Sequence, residues 1–228
     1  MTENIRVRQA NADDIEFIIT AIFESEKSSS EIISSCKIFS LSEEQFAEIL
    51  TDILKQDLPN YDYFLSGFLV AEKDGNRVGA LGSWLEGEDG TPSGIIKATI
   101  LFPYLDKNTI KNLNKNTKVI KGLTINREMR ALQLEHGYVV PEYRRHGVFT
   151  RLIKEQAIRY SRKNETIEKV QGIIFRENYK SYNAHLKVGY KVIEEKTVDD
   201  PAIFNFFPFN TKILVELDKD TFSKFRVE

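Results

Sequence analysis

VVPEYRRHGVFTR, spanning Val139 to Arg151, is the stretch on which the fold turns. It joins the apolar end of a strand to a turn rich in arginine and glycine, and then to the start of a helix. Helix-start N–H groups and the helix dipole both favour negative charge, so this junction suits a pyrophosphate. N–H groups from Arg145 to Thr150 can converge on one anion, and Gly147 permits close main-chain approach. Arg144, Arg145 and Arg151 add positive charge in a geometry that matches phosphate. An ordinary capped, solvated turn would use the same residues. A second segment, FRENYKSYNAHLKVGY from Phe175 to Tyr190, follows at a distance that favours the ligand reading.

Working outward, Ile5 to Gln9 alternates apolar and polar, as a half-buried strand does. Asn11 stands at a helix N-cap, with Asp13 and Asp14 in the first turn and Ile15, Ile18, Ile19 and Ile22 on one face. Ser42 and Gln45 form a capping-box pattern ahead of Phe46, Ile49, Leu50 and Ile53. Gly67–Glu72 and Arg77–Leu85 read as strands joined by a turn at 73–76. The interval of about 86–130 reads as an irregular insertion holding one short helix, with Lys107, Lys111, Lys115 and Lys118 along a face. Those lysines fit a basic lid over an anionic substrate or, more simply, a solvated face. Trp84 and Leu85, entering the insertion, fit either a pocket wall or the core. Ala131–Val139, Val170–Phe175, Tyr190–Glu194 and Lys212–Glu216 read as strands. Val148–Ser161 and Ser181–Val188 read as helices, the second ended by Gly189. Strands in both halves with helices between them predict an α/β fold with a mixed sheet.

The chain has 228 residues, 41% of them hydrophobic, enough for a sizeable core in one domain spanning 1–228. A net charge of −2 gives no nucleic-acid footprint. No apolar run reaches the roughly 18 residues a membrane helix needs, and the polar N-terminus is not a secretory signal. A lone cysteine, Cys36, excludes an internal disulfide and fits a reducing cytoplasm. The three histidines lack metal-ligand spacing, so no metal is expected. The aromatic run Phe204, Phe206, Phe207 and Phe209 suits a core or a homodimer interface equally.

The two motif segments resemble the GNAT family of N-acetyltransferases. That family has a strand ending in V-x-P, then [QR]-x-x-G-x-[GA] opening a helix. Here these are Val139-Val140-Pro141, then Arg144 to Phe149. The family's later pattern, Asn, a small residue three on, Tyr seven on and Gly-Phe at eleven and twelve, falls here on Asn178, Ser181, His185, Gly189 and Tyr190. The resemblance implies a mostly antiparallel central sheet flanked by helices, with a splayed strand pair at the cofactor. It implies acetyl-CoA as co-substrate, bound by Tyr138, Val139, Val140, Arg144, Arg145, His146, Gly147, Val148, Phe149, Thr150 and Asn178. The acceptor is an amine of a small molecule or a protein, attacking the thioester directly.

Two departures bear on the chemistry. Phe149 replaces a small residue near the phosphates. His185 replaces the Tyr that acts as general acid in many members, so a charged His185 and its neighbour Tyr182 are both candidate acids. Glu135 lies where members often carry a catalytic carboxylate. His136 beside it points to the opposite strand face by simple alternation. Asn178 suits contact with the pantetheine arm, a helix cap, or both. The departures leave a second reading open: a fold that binds acyl-CoA as a sensor or interaction module without transfer.

Overall fold

The structure is a computed structural model that describes residues 5–163 and 167–226. Strand β1 (Arg6–Gln9) leads to Asn11, which closes a capping box with Asp14 at a 3-10 turn. Helix α1 (Ile15–Lys27) follows and buries Ile15, Ile18, Ile19 and Ile22, the face its spacing predicts. A short helix, α2 (Ser34–Phe39), precedes α3 (Glu43–Gln56). The Ser42–Gln45 capping box starts α3 and Phe46, Ile49, Leu50 and Ile53 are buried along it. Strands β2 (Leu69–Lys73) and β3 (Asn76–Leu85) form the expected hairpin. Its turn places Asp74 and Gly75 at φ 52° and 80°, the left-handed pair that matches strand twist.

The 86–130 interval is more regular than its sequence suggested. It contains α4 (Ser93–Leu101) and a full 16-residue helix, α5 (Lys107–Gly122), capped by Asp106. All four lysines of the α5 face are exposed, while Val119 and Ile120 pack inward with Leu123, Phe175, Ile203 and Phe207. The lysine face is thus turned to solvent. Strand β4 (Leu132–Val139), helix α6 (Val148–Lys163), strand β5 (Lys169–Phe175) and helix α7 (Tyr179–Val188) carry the two motif segments. Strands β6 (Lys191–Thr197) and β7 (Thr211–Asp218) and helix α8 (Lys219–Ser223) complete the chain. Of the aromatic run between β6 and β7, Phe207 is buried, whereas Phe204 is 52% exposed.

The seven strands lie in the order β1-β2-β3-β4-β5-β7-β6. Every pairing is antiparallel except β4 with β5, so the expectation of a mixed, mostly antiparallel sheet is met. One face packs on α1 and α3 through Val70, Ala80 and Trp84. The other packs on α6 through Val78, Leu81, Leu134 and Val215. Among the described residues no helix is long and apolar enough to cross a membrane.

Candidate active site

The parallel pair β4/β5 holds for two rungs only, Leu132 with Val170 and Gln133 with Gln171. Side chains lock the second rung, where Gln133 donates to Gln171 at 2.9 Å and Gln171 donates to Glu216 at 2.8 Å. Beyond it the strands part. β4 continues along β3 to Val139 and β5 along β7 to Phe175. The side of β4 from Leu134 to Val139 that faces β5 is left without a ladder partner, the V that the family resemblance implies.

The Arg144–Thr150 turn sits at the open end of this V. Arg145 and Gly147 adopt φ of 66° and 77°, and alternation of left- and right-handed residues turns successive N–H groups to one side. Among the described residues, the N–H groups of Arg145 through Thr150 have no main-chain or side-chain acceptor. Such a set, at the start of a 16-residue helix, is chemically fitted to an anion. Arg144 folds back, its Nε donating to the Val139 carbonyl at 2.9 Å, and so ties the turn to the strand end. Val148 is buried and offers only its main chain to the turn.

Phe149, the departure from the small-residue pattern, turns away from the N–H groups. A Cβ at Gly137 would stand 2.6 Å from its ring, and its ring meets His185 edge-on at 5.2 Å. The bulk at one position is therefore matched by absence of bulk at another. Asn178 caps α7, accepting from the Ser181 N–H at 3.3 Å, so its cap role is realised. Tyr182 is partly buried, with the Arg176 guanidinium 4.6 Å above its ring.

His185 does not match a charged acid. It is buried, and its Nδ1 lies 2.8 Å from the Ser181 carbonyl, which can only accept, so Nδ1 carries the proton. Burial pushes the imidazole down to about 4, against a smaller opposing effect of that hydrogen bond. The ring is neutral near pH 7, and among the described residues Nε2 has no hydrogen-bond partner. Burial thus works against the imidazolium that the expected acid role needs.

The strand alternation at Glu135 and His136 is also corrected. Register jumps from Ala80–Tyr138 to Gly82–Glu135, so Leu81 faces both His136 and Gly137 in a β-bulge. His136 takes φ 55°, a strained value for a residue with a Cβ. The bulge brings Glu135 and His136 to the same side, where their polar atoms and those of Asp62 lie within 4.8 Å of one another. The His136 ring stacks near Tyr63, at 5.5 Å and 27°, and near Phe68, at 6.3 Å and 21°. Its Nε2 is 3.4 Å from Asp62 and its Nδ1 3.2 Å from the Ser25 hydroxyl. Lys97 of α4 closes the group, with its ammonium 2.6 Å from Asp62 and 3.0 Å from the Tyr63 hydroxyl. Burial would raise the Asp62 carboxyl, but Lys97 and His136 outweigh it and hold it well below the carboxylate range. Glu135 is engaged by Arg127, which also lies 5.1 Å over the Trp84 ring. Each carboxylate of the trio is already held by a cation, Asp62 by Lys97 and Glu135 by Arg127.

Asp62, Lys97, Arg127 and Ser25 were not marked by sequence. Asp62 sits in an irregular stretch, and Arg127 and Lys97 lie in the insertion. No local pattern connects them to β4, which is distant in sequence from Asp62 and Lys97, though only eight residues separate Arg127 from Glu135. The bulge has one sequence signal, Gly137 beside a charged residue inside a strand.

No protein-family profile and no curated protein sequence matches this chain. Solved structures do. An N-acetyltransferase from Staphylococcus aureus Mu50 superposes with a TM-score of 0.61 over 93% of this chain and 100% of its own, at 16% identity. An agmatine N-acetyltransferase variant in its apo form gives 0.54 over 95% and 100%, at 15% identity. The yncA protein of Salmonella typhimurium, described as a candidate acetyltransferase with its cofactor acetyl-CoA, gives 0.51 over 95% and 94%, at 12% identity. Likeness at these identities is a likeness of fold, and it agrees with the split β4/β5 pair and the strand–turn–helix found here. The chain has the fold of the GNAT N-acetyltransferases.

Proposed function

We propose that the protein is an acetyl-CoA-dependent N-acetyltransferase that moves an acetyl group to an amine by direct attack. The observation that carries this reading is the split of β4 from β5 beside a turn whose N–H groups, Arg145 to Thr150, have no acceptor of their own. A fold neighbour solved with acetyl-CoA supports the same cofactor. Arg145 to Thr150 would hold the pyrophosphate, with the exposed Arg145 supplying positive charge and His146 beside it. The free side of β4 at Tyr138, Val139 and Val140 would pair with the pantetheine arm, and Asn178 would border it. When bound, the cofactor supplies an activated acetyl thioester.

The acceptor amine must be neutral to attack, and its proton needs a positioned base. His136 fits better than Glu135. Its Nε2 faces a carboxylate and donates, so Nδ1 is the atom that would take the proton. The Ser25 hydroxyl beside it gives its own proton to the Ile22 carbonyl at 2.8 Å, so its oxygen would accept from the protonated Nδ1. Asp62 then stabilises the imidazolium as the proton arrives, the role a buried carboxylate takes behind a catalytic histidine. Glu135 and Arg127 flank this group and order it. Tyr182 is the remaining hydroxyl donor near the departing thiolate, since His185 is neutral. Because Phe149 packs on Gly137 and leaves the turn open, it gives no support to a fold that has lost its cofactor site.

Calorimetric titration with CoA tests the site, and thiol release with acetyl-CoA and an amine panel tests the reaction. Gly147→Val places a β-branched residue at φ 77° and should weaken CoA binding at least tenfold. Unchanged affinity would move the phosphate site elsewhere. Binding without thiol release across a broad panel would leave a non-catalytic CoA-binding protein.

A further inference from the structure

One cation on the Glu135 face of the sheet has no counter-ion. Lys212 on β7 pairs in register with Phe175 at the end of β5. Its ammonium lies 5.0 Å from the centre of the Phe175 ring and 4.7 Å from that of Phe207. The charges that bear on it are Glu135, Arg127, Glu26 and Lys97, the surroundings of the candidate base. Those carboxylates are already committed. Glu135 pairs with Arg127, and Glu26 accepts from the N–H and hydroxyl of Ser35 at 2.8 and 2.7 Å. Among the described residues Lys212 makes no hydrogen bond and no ion pair, only the two ring contacts. Burial brings its ammonium down to about 8, opposed by Glu135. Arg127 adds a second donor, since its Nε is buried and has no hydrogen-bond partner among the described residues. Lys212 is half-buried, so its ammonium has lost part of its water, and ring faces recover only part of that cost while an anion would complete it.

We propose that Lys212 receives a carboxylate of the acceptor, so that the acetylated amine belongs to an amino-acid-like molecule carrying both groups. This rests on the acetyltransferase reading and adds the substrate class. The buried rings of Phe175 and Phe207 hold the Lys212 ammonium in place, and its half-buried position strengthens its attraction for a carboxylate relative to open water.

Matched pairs test it. Glycine, β-alanine, leucine and phenylalanine are each compared with their primary amides as acceptors, using thiol release from acetyl-CoA. The acids should exceed the amides at least tenfold in kcat/KM, and Lys212→Met should erase that preference while leaving CoA affinity unchanged. Amides that react as well as acids, or a preference that survives the substitution, overturn the proposal. A second measurement needs no turnover. Lys212 in the unmodified protein is labelled with an amine-reactive ester, and the extent is read by mass spectrometry. The acids should shield Lys212 and the amides should not. Absence of shielding by every acid overturns the carboxylate site even where acetyl transfer occurs. Shielding without CoA binding or thiol release keeps the site and counts against the acetyltransferase reading alone.

Discussion

His136 combines three features that ordinary packing does not need: positive φ, burial, and a polar partner at each ring nitrogen. A left-handed residue with a Cβ costs about 1–2 kcal/mol, and a structural histidine at a bulge could be replaced by glycine without that cost. The strain persists because Tyr63, Phe68, Asp62 and Ser25 fix the ring from four directions. The expected consequence is measurable. Asp62→Asn keeps the shape and removes the charge that stabilises the imidazolium, so kcat/KM should fall about 100-fold, within the range for acid–base groups, with CoA affinity unchanged. His136→Gln should lower kcat/KM at least as much, again with CoA affinity unchanged. A rate that survives in His136→Gln and is lost in Glu135→Gln would return the base to Glu135.

The element that most needed the structure is the strand–turn–helix from β4 to α6. Its arginines, Gly147 and helix start were legible because the signal is local: residue types at fixed spacing produce the turn. Phe149 was legible only as a departure. Its meaning depends on Gly137, a residue on a different element, and local pattern carries no information on which side chain fills which gap. The two form a matched pair. Gly137→Ala would bring a Cβ to 2.6 Å from the Phe149 ring and should destabilise the fold by about 1–3 kcal/mol through overpacking. Phe149→Leu should recover much of that loss. A double-mutant cycle by urea unfolding should return a coupling energy of about 1 kcal/mol or more. Strict additivity would mean the ring relaxes freely and the pairing is incidental. The bulge at His136 failed for a related reason. Alternation assumes an unbroken strand, and one extra residue reverses the facing of every side chain beyond it.

Across the molecule, most strands and helices were legible from periodicity, because each element buries one face and its spacing records that face; the strand order was not. Neither was the charged group on the Glu135 side. It gathers Ser25 from α1, Asp62 from the segment before β2, Lys97 from α4, Arg127 from the segment before β4 and Lys212 from β7. Such long-range assembly leaves no trace in any window of sequence. Global stability provides a last test of how burial sets charge. His185 folds neutral, with its imidazole lowered to about 4 from an ordinary value near 6.5. Between those values the unfolded chain binds a proton at this position and the folded protein does not, so stability rises with pH across the window. The contribution is fully present above about 6.5 and declines as pH falls toward 4, by at most about 3 kcal/mol. His185→Asn can keep a donor for the Ser181 carbonyl while removing the titrating group. Urea unfolding midpoints measured from pH 4.5 to 7 should therefore show a shallower pH slope for the variant than for the parent, by up to one proton. Parallel slopes would mean that His185 takes up a proton in the folded state as readily as in water, and the imidazolium would again be available to the leaving thiolate.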